Sequence, residues 1–401
     1  MLAFVNAHLI DGTGAAPLRN ATVVVNGARI EAVGAGAAPP DGAVVVDLGG
    51  KTLLPAFSDA HVHFGGTELL TRPGLGGRDI TYDYALNSRN CLERGVVSVR
   101  SAGDFMPDIV SYRDDAASAG LPSPRIVTAG RMFVAPGGHP HDTVFGGNEA
   151  IRENACVICD GSTDIDAEVK ALADSGADWI KAFLSTMNKM NYPHPVPRLP
   201  NETLRKITEA AHKYGKPVML HVEDPKDAEE AVDLGVDSIE HFIGVGVTRF
   251  DISDALLGKL RNSGVFVVPT MSSIKAHDFP DVPVYPHLAE AIKKLLDAGV
   301  KIGVGTDSAI PFVPLGESIH IEFELLASLG LKPLEVLRMA TKGNSELLRA
   351  GDATGTIETG KLADIVVLEA DPLDDIRNTR KIGLVMKEGR IVADRILSGI
   401  V

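Results

Sequence analysis

Two histidines lie two residues apart in the stretch LPAFSDAHVHF, which covers residues 54–64. In a β-strand the side chains of residues i and i+2 point to the same side, so His61 and His63 would project together. They would be about 6–7 Å apart along the strand, close enough to share one metal ion. Taken alone, the pair fits equally well with two polar residues at the exposed end of a strand, so other residues must decide.

Four further side chains suited to metal binding or proton transfer occur in short apolar runs. They are Lys181 in ADWIKAFLS, His221 in PVMLHVED, His241 in VDSIEHF and Asp307 in GVGTDS. Neutral imidazole and carboxylate groups are natural zinc ligands, and a catalytic zinc keeps one position open for water. Lys181 is unusual, because an ammonium is a poor ligand and a buried lysine is costly unless a carboxylate pairs with it. If CO2 adds to its amine, the product is an anionic carbamate whose two oxygens can bridge two metal ions.

A pair of metal ions held in this way has a defined chemistry. Two ions can activate a bridging water and polarise the carbonyl of a scissile bond. Asp307 would take the proton from the metal-bridging hydroxide and return it to the leaving amine. The six side chains therefore predict a metal-dependent hydrolase in which Asp307 and Lys181 have catalytic roles.

The middle of the chain, which would position these residues, alternates short apolar runs with helical stretches. The predicted strands lie in the segments 52–64, 95–103, 125–130, 177–185, 217–224, 236–242, 265–270 and 300–308. Helical patterns at 201–215, 227–235 and 288–299 end in glycine, the usual C-terminal stop. Eight alternations predict an α/β fold, a (β/α)8 TIM barrel, whose chemistry takes place at the C-terminal ends of the strands. The six candidate residues fall at five of these ends.

The two ends of the chain have a different pattern. Residues 1–50 contain β-branched runs separated by N-G and G-G turn signals, which is typical of antiparallel strands. The same pattern returns in GTIETGKLADIVVLEADP and KIGLVMKEGRIVAD near the C-terminus. We therefore predict a small composite β-sandwich domain made of residues 1–53 plus 353–401, and a catalytic barrel made of residues 54–352.

Composition narrows the class of protein. The 401 residues are 45% hydrophobic and 23% charged, which is an ordinary globular composition. A formal net charge of −14 argues against nucleic acid or an anionic membrane as a partner, and the apolar runs are too short to predict a membrane-spanning helix. Three cysteines are too few for a disulfide framework, and the N-terminus does not resemble a signal peptide. We expect a cytoplasmic protein with reduced cysteines that acts on a small molecule.

Several motifs occur together in the sequence: LPAFSDAHVH, WIKAF, VMLHVED, IEHF, GVGTDS and the tail GTIETGKLADIVVLEADP. In combination they resemble the amidohydrolase superfamily over essentially the whole chain. GADWIKAFLS, residues 202–221 and GTDSA with GESIHIEFELL look most like its imidazolonepropionase-like branch, which includes binuclear dipeptidases that cleave Xaa-Pro or Xaa-Arg/Lys.

The resemblance implies a specific metal site. One divalent ion would be held by His61, His63 and Asp307, the other by His221 and His241, and carboxylated Lys181 would bridge them. Zinc is the expected metal, although such a donor set also accepts cobalt or manganese. The resemblance further implies a homo-oligomer.

Two departures from the superfamily pattern bear on the chemistry. Ala56 and Ser58 replace the commoner residues of the first motif, which we expect to be harmless. In HVED, Glu223 shares the face of His221 by the i+2 rule and would line the site, where it would favour a cationic group on the substrate. Asp224 lies three residues after His221, where mononuclear deaminases and imidazolonepropionase usually carry a catalytic glutamate.

Three loops after strands are unusually long, and long loops on this face of a barrel are usually binding elements. They cover residues 130–147, 186–200 and 271–287. His139 follows two glycines and so resembles the superfamily's Gly-Gly-His, whose imidazole can hydrogen-bond the substrate carbonyl oxygen. His141 is a second candidate for substrate contact, and Tyr192 and Arg198 are candidate partners of a substrate carboxylate. Each of these residues also fits an ordinary solvated loop position.

The sequence leaves the exact reaction open. The first hypothesis is hydrolysis of an amide bond in a dipeptide or an N-acyl amino acid at two metal ions. The alternative is hydrolysis of a cyclic amide of the imidazolone type, or deamination, at one metal ion, in which Lys181 would have no role. A third hypothesis, a non-catalytic binding protein on a retained barrel, conflicts with the complete set of ligands.

Overall fold

Strands and helices extend through the chain in the computed structural model, which describes residues 1–65, 84–146, 149–187, 191–244, 252–278 and 283–396. The strands are β1 (Leu2–Leu9), β2 (Leu18–Asn26), β3 (Arg29–Ala35), β4 (Val44–Asp47), β5 (Thr52–Pro55), β6 (Phe57–Val62), β7 (Val96–Ser101), β8 (Arg125–Thr128), β9 (Met132–Val134), β10 (Cys156–Ile158), β11 (Ile180–Phe183), β12 (Val218–Val222), β13 (Ser238–His241), β14 (Phe266–Val268), β15 (Lys301–Ile302), β16 (Ile365–Leu368), β17 (Ile382–Lys387) and β18 (Arg390–Asp394). The helices are α1 (Tyr84–Leu92), α2 (Asp108–Ala119), α3 (Glu149–Ala155), α4 (Ile165–Asp174), α5 (Asn201–Lys213), α6 (Pro225–Asp233), α7 (Asp254–Ser263), α8 (Met271–Ala276), α9 (Tyr285–Asp297), α10 (Ser318–Ser328), α11 (Pro333–Arg338) and α12 (Asn344–Leu347), with a π-helical turn (Met339–Gly343) and a 3-10 helix (Ile376–Arg380).

The two ends of the chain share one eight-stranded sheet. Its strands follow the order β18-β17-β16-β5-β1-β2-β3, and β4 also pairs with β1. The ends meet where β5 runs antiparallel to β16, with Pro55 opposite Ile365 and Thr52 opposite Leu368. Apolar side chains from these strands form a core of their own. The pairing of both ends in one sheet is observed, whereas the exact division of the chain into two domains remains a prediction.

The middle of the chain is a (β/α)8 barrel, as the alternation of strands and helices predicts. β6, β7 and β8 form one parallel sheet, and β11–β15 follow in order in a second sheet, which β9 and β10 extend at one edge. Hydrogen bonds join the two sheets on both sides. The Asp178 N–H donates to the Thr128 carbonyl at 2.7 Å, and the Ala60 N–H donates to the Val304 carbonyl at 2.9 Å. Within the described residues, β6–β8 and β11–β15 therefore follow one another around the barrel.

The helices alternate with the barrel strands and begin at recognisable signals. Asp164 caps α4 by accepting a hydrogen bond from the Ala167 N–H, and Ser253 caps α7 in the same way. The predicted helices overlap α5, α6 and α9, and a large apolar core lies between the helices and the barrel. The longest of these helices, α5 and α9, have 13 residues each, and none of the described helices could cross a membrane.

Two features of the barrel differ from the expected pattern. The sequence predicts a strand over 300–308, but β15 covers only Lys301–Ile302, and the chain has left the extended conformation by Asp307, whose φ is 59°. The sequence does not reveal β9 and β10, because three residues are too few for alternation to be recognised. The three cysteines are free and buried.

Candidate metal centre

His61, His63 and Asp307 form a compact group where β6 ends. The His63 Nε2 lies 3.1 Å from the Asp307 Oδ1, and the His61 Nε2 lies 3.5 Å from the same oxygen. One ligand atom from each residue lies within 4.8 Å of the other two. The other oxygen of Asp307 accepts a hydrogen bond from the Ser273 hydroxyl at 2.9 Å. Side chains of His63 and Asp307 are 27% and 14% exposed, so a small molecule can reach this group from solvent.

The backbone brings Asp307 to the two histidines. The segment after β15 runs beside β6, where the Asp307 N–H donates to the His61 carbonyl at 2.7 Å and the His63 N–H donates to the Ser308 carbonyl at 2.5 Å. A Cβ on Gly305 would lie 2.8 Å from both the Cβ and the backbone nitrogen of His61. Glycine therefore permits the close approach that places a carboxylate from the end of the barrel next to ligands from its beginning.

His221 and His241 extend the group from β12 and β13. Their ring centroids are 4.4 Å apart, and the His241 ring lies 5.0 Å from the His61 ring. The Nδ1 of His241 is hydrogen-bonded to the Thr270 hydroxyl at 2.8 Å, which fixes the orientation of the ring. The structure thus brings the four predicted histidines and Asp307 into one continuous cluster.

Lys181, the sixth predicted member of the site, is buried in β11. Its ammonium lies 5.0 Å from the centre of the Phe183 ring. Burial lowers the pKa of Lys181 to about 8, and the nearby carboxylates oppose this shift through charge rather than through hydrogen bonds. The Phe183 ring lies 4.8 Å from the His221 ring, so the amine lies beside the cluster. Its charge adds to the effect of burial in lowering the pKa of His61 and His221.

Except at His63, the side chains of the cluster are in the protonation state that metal ligands require. Burial lowers the pKa of His61 to about 4 and the pKa of His221 and His241 well below 6.5. At His63 burial is outweighed by the hydrogen bond and charge of Asp307, which raise its pKa. Burial opposes ionisation of Asp307, but the His63 hydrogen bond and the neighbouring histidines hold the pKa of Asp307 well below its usual range. Neutral imidazoles at His61, His221 and His241 and an ionised carboxylate are therefore available for coordination near neutral pH, whereas His63 would release its proton when a metal ion binds.

Buried ring nitrogens in the cluster match what a metal ion would bind. The Nε2 atoms of His61 and His221 are buried and form no hydrogen bond with any described residue. Leaving such an atom unsatisfied is costly, and imidazole with carboxylate is the donor set that divalent zinc prefers. The residues present therefore fit the divalent metal ions that the amidohydrolase resemblance implies, most directly at His61, His63 and Asp307.

Two buried charged residues beside the cluster were not predicted from the sequence. Glu240 of β13 contacts the His61 Nδ1 at 2.5 Å and Arg100 of β7 at 2.9 Å. Strand alternation would assign Glu240 and His241 to opposite faces, but His241 has a φ of 73°, so the alternation is broken and both reach the interior. The available signal was a charged residue inside each of the runs SVRS and SIEH, since a buried strand rarely carries an unpaired charge.

Two of the residues predicted to contact substrate lie beside the cluster. The His139 ring is 5.2 Å from the His221 ring, and the His139 Nδ1 is hydrogen-bonded to the Thr143 hydroxyl at 2.6 Å. The Glu223 Oε1 lies 3.6 Å from the His221 Nε2. Both side chains therefore adjoin the end of the site that His221 defines.

The other candidates for substrate contact have different partners. His141 is buried against Arg152, whose Nε lies 2.9 Å from the His141 Nε2. Arg198 is paired with two carboxylates of α6 at 3.1 and 2.9 Å, and Tyr192 is 40% exposed. Asp224, the residue that a mononuclear deaminase would use, is the N-cap of α6. For His141, Tyr192 and Arg198, contact with the substrate remains a prediction.

The fold and the cluster define a class of protein that comparison with known families also identifies. The chain belongs to the amidohydrolase family, whose family model matches residues 52–392. It is accordingly a hydrolase that acts on carbon–nitrogen bonds. The matched span includes β5, the barrel and the strands that return to the terminal sheet.

Individual relatives are similar over most of their length. An ochratoxinase of Aspergillus niger is 26% identical over 418 aligned positions, which cover 92% of this chain and 81% of the relative. An imidazolonepropionase of Thermoplasma acidophilum is 22% identical, covering 89% of this chain and 84% of the relative. Among solved structures, a Xaa-Pro dipeptidase with methionine bound in its active site has a TM-score of 0.83 and 27% identity, covering 97% of this chain and 99% of the dipeptidase.

Proposed function

We propose that the chain is a metal-dependent amidohydrolase that cleaves the amide bond of a dipeptide or an N-acyl amino acid. The observation that carries this proposal is the convergence of four histidines and Asp307 in one cluster, with the buried amine of Lys181 beside it. The similarity to a Xaa-Pro dipeptidase over nearly the whole of both chains supports the substrate class. Cytoplasmic location and assembly into a homo-oligomer remain part of the proposal.

The residues of the cluster would hold two divalent ions, with zinc as the expected metal. His61, His63 and Asp307 would hold one ion, and His221 and His241 the other. When bound, the ions supply Lewis acidity, which lowers the pKa of water and polarises the amide carbonyl. His61 and His221 each have a buried Nε2 available for this purpose.

Lys181 would connect the two halves of the site as a carbamate. Because burial lowers the pKa of its amine to about 8, part of it is neutral near neutral pH. The neutral amine can attack CO2, forming an N–C bond and releasing one proton. The resulting anion would replace a buried cation whose charged form burial disfavours, and the two divalent ions would balance its negative charge.

Asp307 would hold and move the proton of the reaction. Its Oδ1 is 3.1 Å from the His63 Nε2, and its Oδ2 accepts from the Ser273 hydroxyl at 2.9 Å. The carboxylate is thus oriented by two partners and remains partly open to solvent. It would accept a proton from the attacking water and deliver it to the departing amine. His139, beside His221, would donate a hydrogen bond to the substrate carbonyl oxygen.

A second candidate function is hydrolysis of a cyclic amide. It is favoured by the similarity to imidazolonepropionase over most of the chain. The use of Asp224 as the cap of α6 speaks against the one-metal chemistry that would need this residue in the site. Hydrolysis of a dipeptide or N-acyl amino acid at two metal ions gives the buried Lys181 a role, so it is the function that we favour.

Release of amine from a panel of dipeptides and N-acyl amino acids by the zinc-loaded protein tests the proposal. Asp307→Asn should lower kcat by about 10²–10⁴-fold, the usual contribution of a general acid–base group. Asp375→Asn, which alters an exposed ion pair with Arg377, should leave the rate unchanged. A panel without a single cleaved substrate, together with turnover of cyclic amides, would transfer the assignment to the second candidate.

The role of Lys181 is tested by metal content. Lys181→Ala should lose one of two bound ions and its activity, because the bridging ligand is gone. Lys301→Ala is a matched control, because the Lys301 ammonium also lies over a phenyl ring, at 5.1 Å. Lys301 differs from Lys181 in being exposed, so its removal should leave the metal content unchanged. Two ions retained by Lys181→Ala would rule out the bridging role.

A further inference from the structure

A fully buried ion pair crosses the interior of the barrel next to the metal cluster. The Arg100 Nη2 donates to Glu240 Oε1 at 2.9 Å and to Oε2 at 3.1 Å. Both side chains have 0% exposure. The Ser238 hydroxyl also donates to the Glu240 Oε1, at 2.6 Å. Three hydrogen bonds from buried protein groups therefore reach this carboxylate.

The remaining contact of Glu240 is with a predicted metal ligand. Its Oε2 lies 2.5 Å from the His61 Nδ1. An ionised carboxylate can only accept hydrogen bonds, so the His61 Nδ1 must carry the proton. The proton-free nitrogen is then Nε2, which is the buried atom that lies 3.5 Å from the Asp307 Oδ1. Glu240 thus selects the tautomer in which His61 can bind a metal ion.

Arg100 holds the whole arrangement in place. Its Nε donates to the Ala60 carbonyl at 2.6 Å, directly before His61 in the chain, and its Nη1 donates to the Ser238 hydroxyl at 2.9 Å. The guanidinium lies 4.5 Å from the centre of the Trp179 ring. It therefore fixes both the backbone that carries His61 and the carboxylate that orients the His61 ring.

We propose that Glu240, held by Arg100, is a positioning residue that sets the tautomer of His61 and thereby the affinity of the site for its metal ion. The inference rests on the proposed metal-dependent function. It differs from a purely structural role, in which the ion pair would only stabilise the barrel. The two roles predict different results when the carboxylate becomes an amide.

Glu240→Gln keeps the shape of the side chain but reverses one of its contacts. Arg100 and Ser238 both donate to the Glu240 Oε1, so in the variant they would donate to the single amide oxygen of the glutamine. The amide NH2 would then face the His61 Nδ1 and force the proton onto Nε2. We expect Zn²⁺ affinity, measured by competition with a chelator, to fall by roughly 10–100-fold. The nitrogen chemical shifts of His61 in metal-free protein should show the Nε2–H tautomer, assigned by comparison with His61→Asn.

Removal of Arg100 from this variant should reverse the effect. In Arg100→Met/Glu240→Gln the amide can turn its oxygen to His61, so Zn²⁺ affinity and the Nδ1–H tautomer should return towards the wild type. Arg100→Met/Glu240→Leu is equally free of buried charge but has no acceptor, so its affinity should stay low. If Glu240→Gln does not fold, the comparison of these two double variants decides the question.

A matched control is Asp364→Asn, which alters a buried carboxylate that is paired with Arg125 at 3.1 Å and lies directly before β16 of the terminal sheet. It should lower the thermal stability without changing Zn²⁺ affinity. Wild-type affinity in Glu240→Gln, or equal affinity in the two double variants, would overturn the positioning role alone. Failure of the wild-type protein to bind Zn²⁺ would instead overturn the proposed function on which the inference rests.

Discussion

Glu223 adds a second acidic group to the cluster, beside the predicted ligands. Its Oε1 lies 3.6 Å from the His221 Nε2, and the side chain is largely buried. A carboxylate in this position would attract a cationic group of the substrate, because charge interactions are strong where water is excluded.

The first prediction concerns the selectivity that Glu223 confers. Glu223→Gln should raise the KM of basic dipeptides by about tenfold relative to neutral ones, since one charge interaction of roughly 1.4 kcal/mol corresponds to that ratio. The measurement is kcat/KM for matched substrates that differ only in the charge of one side chain. Asp224→Asn, which retains a residue able to cap α6, is the control and should leave the ratio unchanged. An unaltered preference in Glu223→Gln would remove Glu223 from the binding site.

At the scale of elements, the close approach of the segment after β15 to β6 is a condition for the predicted metal site. A Cβ on Gly305 would lie 2.6 Å from the Val268 side chain and 2.8 Å from the backbone of His61. Gly258 in α7 offers a contrast, because a Cβ there would meet nothing within 4 Å.

The second prediction compares these two glycines. Gly305→Ala should destabilise the protein by about 1–3 kcal/mol through overpacking and should weaken Zn²⁺ binding by displacing His61. Gly258→Ala should stabilise it by about 0.5–1 kcal/mol, because alanine loses less entropy in a helix. Thermal unfolding and chelator competition measure both effects. Equal stability of the two variants would contradict the close packing of Gly305 against His61.

Glu322 of α10 holds the short helix α8 against the site. Its two oxygens accept from the Met271 N–H at 3.0 Å and from the Ser272 N–H at 2.7 Å, and Ser273 of the same helix contacts Asp307. Burial raises the pKa of Glu322 from 4.5 to about 8, against the effect of these hydrogen bonds. The folded protein therefore binds this proton more tightly than the unfolded chain does.

The third prediction follows from the sign of this shift. Between about pH 4.5 and 8 the folded state holds the proton and the unfolded state releases it, so the stabilisation is present at acid pH and is lost as the pH rises. The Tm of the wild type minus that of Glu322→Gln should fall by about 2–5 °C from pH 5 to pH 8.5. Glu324→Gln, on the more exposed side of α10, should show no such trend. A difference independent of pH would show that Glu322 is ionised throughout.

The residues of the cluster could be predicted to lie together from the sequence, because strand alternation is a local pattern and the parallel strands of a barrel end at one face. His61 and His63 share a face by spacing alone, and the barrel brings the ends of distant strands together. Glu240 could not be found in this way, because the positive φ at His241 breaks the alternation on which the prediction depends. The pairing of Arg198 with carboxylates of α6 could not be predicted either, because it depends on where a loop contacts a helix and not on a local sequence pattern.

At the scale of the whole molecule, the barrel and the terminal sheet are joined by specific contacts. Arg125 of β8 pairs with Asp364 and with Glu388 at 3.1 and 2.6 Å, and Asp364 lies directly before β16. The sequence indicates that both chain ends are β-rich, but the pairing of β5 with β16 depends on contacts between residues far apart in the chain. No local pattern encodes that choice of partner.

The fourth prediction concerns this sheet. A chain that ends at Ala350 lacks β16–β18 and leaves β5 as an edge strand. We expect it to be insoluble or rapidly degraded by protease, because an unpaired hydrophobic edge invites association. Asp364→Asn in the full chain should remain soluble with a lowered Tm, which separates loss of the strands from loss of one link. A soluble, cooperatively unfolding truncated protein would show that the barrel is stable without the sheet.

The position of β16 also has a consequence during synthesis. Its partner β5 leaves the ribosome about 310 residues earlier, which corresponds to roughly 15–60 s at typical rates of translation. During that time β5 has no partner along the edge that β16 later occupies, while the barrel is being synthesised. The sheet that joins the ends of the chain is therefore completed last, and we expect a nascent chain stalled before residue 365 to be the form that binds chaperones most strongly.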